Sequence, residues 1–292
     1  MAIFKGAGVA IVTPFKNGKV DFDNYGELIE WQIAEGTDAI ISCGTTGEAS
    51  TLTDEEQIEV VQYAVDKVKG RIPVIAGAGS NDTRHGINLS IELQKTGCDG
   101  LLHVTPYYNK CTQKGFKEHM TAIADAIDIP IILYSVPGRT GFNIAPQTTL
   151  ELSKHPNIVG IKEASGNIAQ CAEVCRLVPE GFSVYSGNDD MIVPLLSLGG
   201  HGVISVLSNV IPKETHDMVM KFLEGDVAGA RKLQLDTKPL IDALFAEVNP
   251  IPVKAALDIM GKSKMEFRLP LSLPDQSTMD RLERELKAYG VI

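Results

Sequence analysis

The chain alternates two hydrophobic patterns. Short runs rich in Val and Ile, apolar at successive positions, are followed by longer stretches in which apolar residues recur every three to four positions. The first pattern predicts strands buried on both faces, the second amphipathic helices. The first strand is predicted over Gly8–Phe15, closing at a proline, with helical periodicity from Tyr25 to Ile33 that ends near Gly36. Asp38–Cys43 is the second strand. Thr53-Asp54-Glu55-Glu56 then gives an N-cap and an acidic first turn to a helix that runs to about Gly70. Pro73–Ala76, Gly100–Val104, Pro130–Tyr134, Asn157–Lys162, Phe182–Ser186 and Gly202–Val206 follow as strands three to eight. Their helices are predicted over Thr83–Lys95, Gln113–Ile127, onward from Pro146, then Ile168–Leu177, Met191–Leu198 and Pro212–Leu223.

Eight such units, spaced by about 20 to 33 residues, predict an α/β fold of the (β/α)8 TIM-barrel class. A doubly wound sheet is the rival, but it rarely needs eight successive units, and no Gly-x-Gly-x-x-Gly follows the first strand. The barrel is expected over residues 1–225. Residues 226–292 are expected as a C-terminal helical extension, with helices over Ala228–Glu247, Pro252–Met260 and Gln276–Tyr289. Asn249-Pro250-Ile251-Pro252 breaks the chain between the first two.

Composition narrows the class. The 292 residues carry a formal net charge of −10, which argues against nucleic-acid or membrane-surface binding. No run approaches the roughly 18 uninterrupted apolar residues of a membrane helix. Met1–Gly6 lacks the charged and apolar regions of a signal peptide, so a cytoplasmic protein is expected. Five scattered cysteines without a Cys-x-x-Cys pair read as reduced thiols, and the six histidines contain no His-x-x-x-His. No metal site and no cofactor is indicated.

In such a barrel the chemistry gathers where strands end and βα loops begin. Lys162 ends an otherwise apolar strand, where an ammonium is costly to bury unless it is paired or gives up its proton. An amine so placed can attack a carbonyl, as Schiff-base lysines do. Alternatively it snorkels outward or pairs with Glu163. Strand alternation sends Glu163 to the opposite face, which favours a structural role. The Thr45-Thr46 pair, flanked by glycines, offers hydroxyls and backbone amides to a carboxylate, or else is a plain turn. Tyr134 is a proton relay or a core tyrosine. Arg139, on a Pro/Gly turn, suits bidentate carboxylate capture or a surface salt bridge. Asp189 and Asp190 read as a helix cap. The loops after strands seven and eight carry acid rather than repeated glycine, so an unphosphorylated acid fits best.

Gly44-Thr45-Thr46-Gly47-Glu48, Tyr134-Ser135-Val136-Pro137-Gly138-Arg139-Thr140-Gly141 and Gly160-Ile161-Lys162-Glu163-Ala164-Ser165-Gly166 resemble three signatures of the pyruvate-dependent class I aldolase superfamily, which includes N-acetylneuraminate lyase. Thr105-Pro106-Tyr107-Tyr108-Asn109 and Asn249-Pro250-Ile251-Pro252-Val253-Lys254 narrow the resemblance to its dihydrodipicolinate synthase family, over nearly the whole chain. The resemblance implies condensation of pyruvate with L-aspartate 4-semialdehyde in the diaminopimelate route to lysine. It implies an imine on Lys162, the pyruvate carboxylate on Thr45 and Thr46, and a proton relay of Thr46, Tyr134 and Tyr108, the last from a neighbouring protomer. Arg139 is implied for the aldehyde's carboxylate, with Gly187 and Ile204 lining the pocket through their main chains. A homotetramer built as a dimer of dimers is implied as well.

Two departures from the family pattern stand out. Ser135 replaces a common asparagine, with little mechanistic change expected. The positions that match the lysine-inhibition site are Ala49, Ser50, Asp54, Gln57, Asn81, His85 and Tyr107. Inhibited bacterial members carry an acid where this chain has His85, and histidines at the positions of Asp54 and Gln57. A cationic ligand thus loses a carboxylate partner, and weak or absent inhibition by lysine is expected.

Overall fold

The computed structural model describes residues 2–292; Met1, the first residue of the N-terminal stretch discussed above, lies outside the described residues. The Val/Ile runs have no polar face to offer water, and the strands they form are buried at nearly every position. Those strands are β1 (Gly6–Ala10), β2 (Ala39–Ser42), β3 (Val74–Gly77), β4 (Gly100–Val104), β5 (Ile131–Ser135), β6 (Ile158–Glu163), β7 (Ser183–Ser186) and β8 (Gly202–Ser205). All pair in parallel and close in the order β1-β8-β7-β6-β5-β4-β3-β2. This is the predicted TIM barrel.

Side-chain alternation divides the apolar residues into two layers. Phe4, Ile41, Ile75, Leu102, Ile132, Tyr134, Tyr185 and Ile204 pack in the barrel interior. Ile40, Leu101, Leu133, Ile161 and Val184, their neighbours along the strands, face the surrounding helices. Phe4 and Tyr185 stack at 4.5 Å between centroids, and the Tyr185 hydroxyl donates to the Phe4 carbonyl at 2.7 Å. The barrel interior is therefore packed with side chains rather than open to a ligand.

The helices of the barrel are α1 (Phe22–Ala34), α2 (Asp54–Val68), α3 (Thr83–Lys95), α4 (Gln113–Ala124), α5 (Pro146–Leu152), α6 (Ile168–Leu177), α7 (Ile192–Leu196) and α8 (Pro212–Leu223). Thr53 caps α2 in a reciprocal box with Glu56, as its sequence predicts. After Gly225 come α9 (Val227–Asp236), α10 (Lys238–Leu244), α11 (Ile251–Ile259) and α12 (Gln276–Tyr289). Here α10 packs on the Asp189–Met191 turn and α11 on the Leu207–Asn209 turn, so the C-terminal helices sit over the loops that follow β7 and β8.

Three expectations need correction. The first strand does not reach Phe15. Beyond Ala10 the chain turns at Pro14, which has no N–H, and Phe15–Lys16 pairs antiparallel with Lys19–Val20. The single helix over Ala228–Glu247 is two helices that meet at Thr237, because Pro239 cannot donate to the first. Asp189 does not cap a helix. Its Oδ2 accepts from the amides of Val206 and Leu207 at 3.1 and 2.9 Å, tying the β7 loop to the end of β8, and burial raises its carboxyl above the ordinary range.

Candidate active site

Strand β6 delivers Lys162 to the mouth. Lys162 lies beside Tyr134 on β5 and Tyr185 on β7 in the strand register, and its side chain turns inward. It is only 6% exposed, with Nζ 4.2 Å from the centroid of the Tyr134 ring. Among the described residues Nζ has neither a hydrogen-bond acceptor nor an ion-pair partner within reach. Glu163 is turned away from it, as alternation predicts: its carboxylate accepts from the Ser165 amide at 2.6 Å and from Gln170 Nε2 at 2.9 Å.

Gly187 keeps the lysine's space open. A Cβ there would lie 2.6 Å from the Ala164 Cβ and 3.1 Å from Lys162 Cε, so a side chain at this position would push on the lysine stem.

The loop after β2 is held in a strained frame. Cys43 and Glu48 bracket it with φ of +54° and +55°, left-handed values for residues that carry side chains. The amides of Gly47, Glu48 and Ala49 donate back to Gly44 and Thr45 within the loop. Those of Thr45 and Thr46 donate to no group among the described residues, which leaves two adjacent donors for an anion. Thr13 Oγ1 pins the Gly47 carbonyl at 2.7 Å, and Glu48 makes a buried pair with Lys254 of α11 at 2.5 Å. The Cys43 thiol, in the same loop, is pushed up to about 12 by burial and is no thiolate nucleophile.

Arg139 sits in the short helix Pro137–Thr140, with Nη2 donating to the Asn249 carbonyl at 3.1 Å and much of the guanidinium exposed. Ser135 accepts from the Ile144 amide at 3.2 Å and donates to Asn143 Oδ1 at 3.1 Å, so it fastens the segment that carries Arg139.

A cavity joins Thr45, Thr46, Tyr134, Arg139, Lys162 and Gly187. Ile204 is buried with its side chain in the barrel interior, and Val206, two residues on, lines the cavity. Tyr108 is 91% exposed with φ of +72° and does not line its own chain's cavity, in keeping with its expected place at a neighbouring protomer's site. The lining residues missed from sequence include Asn249 and Phe245 of the C-terminal region. Asn249 reads from sequence as a chain break before prolines and as the start of a family motif, not as part of the site; its signal is the polar side chain, which a break does not need.

A second, larger cavity adjoins the first. Ala49, Ser50, Asp54, Gln57, His85 and Tyr107 all line it. Asn81 lies beside it, donating to the Tyr107 carbonyl at 3.2 Å. His85 is engaged at both nitrogens, Nδ1 with Ser80 Oγ at 2.9 Å and Nε2 with the Asp54 carboxylate at 2.9 Å.

Comparison with known proteins gives one family. The model of the dihydrodipicolinate synthetase family matches residues 3–289. The 4-hydroxy-tetrahydrodipicolinate synthase of Thermoanaerobacter sp. (strain X514) is 55% identical over 293 residues, covering 100% of this chain and 99% of that protein. The solved dihydrodipicolinate synthase of Cyanidioschyzon merolae, with lysine bound, is 42% identical, with a TM-score of 0.97 and 100% of each chain covered. The chloride-inhibited enzyme of Acinetobacter baumannii complexed with pyruvate is likewise 42% identical, with a TM-score of 0.97 and 99% of each chain covered.

Proposed function

The chain belongs to the dihydrodipicolinate synthetase family, and on that premise we propose that it condenses pyruvate with L-aspartate 4-semialdehyde through an imine on Lys162. The product is 4-hydroxy-tetrahydrodipicolinate, which makes the protein a lyase of lysine biosynthesis. One observation carries the reading: a buried lysine with no counterion among the described residues faces a cavity with two amides, likewise unpartnered among them, on one side and an arginine on the other.

The chemistry follows from those groups. The pyruvate carboxylate rests on the Thr45 and Thr46 amides, which brings its keto carbon to Lys162 Nζ. The neutral amine attacks, water leaves, and an imine forms. Loss of a methyl proton then gives an enamine, whose carbon attacks the aldehyde of the second substrate, held by its carboxylate on Arg139. The product's own amine displaces Lys162, which closes the ring and frees the enzyme. Thr46 and Tyr134 move the protons, with Tyr108 of a second protomer completing the relay. The outward reach of Tyr108 supports a dimer as the smallest complete unit, and we place two such dimers in a tetramer.

Reduction with borohydride in the presence of pyruvate, followed by peptide mapping, tests the proposal. A pyruvyl adduct on Lys162 is the expected result. No adduct from folded protein would leave a keto-acid binder without catalysis. Turnover of N-acetylneuraminate in place of the condensation would move the chain to another branch of the superfamily.

Feedback by lysine is weak or absent in this reading. An incoming ammonium needs a carboxylate, and the Asp54 carboxylate in the second cavity is already engaged by His85. Assays with added lysine check this, and inhibition at physiological concentration would overturn it.

A further inference from the structure

Asn249 stands in the wall of the Lys162 cavity and touches both of its anion-binding arms. Its main-chain carbonyl accepts from Arg139 Nη2 at 3.1 Å, and its side-chain Nδ2 donates to Thr46 Oγ1 at 3.0 Å. The residue is 5% exposed, and its Oδ1 is buried without a hydrogen-bond partner. An asparagine retained only to hold the fold would be satisfied at both ends, because an unpaired buried acceptor is destabilising.

An amide nitrogen can only donate, so Thr46 Oγ1 is the acceptor in this bond. A hydroxyl that accepts from a fixed donor keeps its single proton for a different neighbour. We propose that Asn249 is a positioning residue of the condensation: its side-chain amide fixes the Thr46 hydroxyl as a donor toward the reacting centre, so that proton transfer through the threonine has one direction. The inference rests on the relay role proposed above for Thr46.

Other contacts hold the surrounding backbone. Thr13 and the Lys254–Glu48 pair anchor the loop that carries Thr46, and Arg139 bonds the carbonyl of Asn249 rather than its side chain. Loss of the amide alone therefore acts on the hydroxyl and leaves both anion sites in place.

The test uses the full chain with pyruvate alone in deuterated water. Exchange of the pyruvate methyl protons, followed by NMR, reads proton transfer, while borohydride trapping at Lys162 reads imine formation. T46V sets the scale and slows exchange by about a hundredfold. N249A keeps the trapped adduct at the wild-type level and slows exchange by about tenfold, the size expected from one lost hydrogen bond. N249D, nearly isosteric and so able to serve should N249A fail to fold, slows it further, because its carboxylate takes the Thr46 proton for itself. N249A added to T46V changes nothing more.

Wild-type exchange in N249A and N249D alongside slow exchange in T46V would overturn the inference, as would an additive effect of N249A in the T46V background. Wild-type exchange in T46V would instead remove the relay reading, and this inference with it.

Discussion

Two lysines are buried at the mouth of this barrel, each with its ammonium against an aromatic ring. Lys162 Nζ is 4.2 Å from the Tyr134 centroid, and Lys254 Nζ is 4.4 Å from that of Phe15. Lys254 is surrounded by acceptors: Glu48 Oε1 at 2.5 Å, the Glu266 carbonyl at 2.5 Å and the Thr13 carbonyl at 3.1 Å. Its three protons are matched by three oxygens. Burial pulls its pKa down, and the carboxylate beside it pulls the other way. Lys162 has the burial and the ring but no such acceptors. Burial therefore does not by itself set what a lysine can do: the oxygens around the amine separate a clamped ammonium from an unpaired one.

Substitutions at the two positions should fail in opposite ways. K162M should cut turnover by at least about a thousandfold and abolish the borohydride adduct, with thermal stability unchanged or raised, since the substitution leaves no charge unpaired. A marked fall in melting temperature would mean that Lys162 has a structural partner after all. K254M strands the Glu48 carboxylate in the interior and should destabilise by about 3–5 kcal/mol. Replacing both partners, as K254M/E48L, should recover most of that loss, because an apolar pair needs no counterion. Denaturant titration of wild type, K254M, E48L and K254M/E48L would measure the coupling, and equal stability of K254M and wild type would show that the pair contributes nothing.

The placement of Lys162 was legible in the sequence and the clamp made by Lys254 was not. Lys162 interrupts an apolar strand, so periodicity alone places it at the mouth and alternation alone turns Glu163 away. Lys254 follows Pro252 in what reads as an ordinary helix, and its partner Glu48 lies 206 residues earlier. Asn249 and Thr46 are separated by 203 residues. Such pairs come together only after the barrel has closed and the C-terminal helices have returned over its mouth, and no local pattern carries that return path. The same limit explains Asp189. Its aspartate pair and nearby helix read as a cap, whereas the amides it accepts from belong to the end of the next strand.

A third buried nitrogen sharpens the contrast on a smaller scale. His103, in β4, is fully buried and has one partner, Ser90 Oγ at 3.2 Å from Nε2. The serine spends its proton on the Gly86 carbonyl at 2.6 Å, so the histidine must donate from Nε2 and leave Nδ1 as a bare, unpaired acceptor. No carboxylate answers a charge here as Glu48 answers Lys254, and burial pushes the imidazole down to about 3. His119 is shifted the same way by burial, against the opposing pull of Asp82. An unfolded chain takes up a proton on His103 near pH ~6.5, whereas the folded chain refuses it until about 3. Between those values the unfolded state binds more protons, so the stabilisation is complete above the upper value and is lost as pH falls toward the lower. His103 alone should make the fold about 2 kcal/mol less stable at pH 5 than at pH 8. H103Q, which can still donate to Ser90 but cannot take a charge, should remove that part of the acid sensitivity. Urea midpoints at the two pH values would show it, and an undiminished acid loss in H103Q would place the sensitivity on other groups.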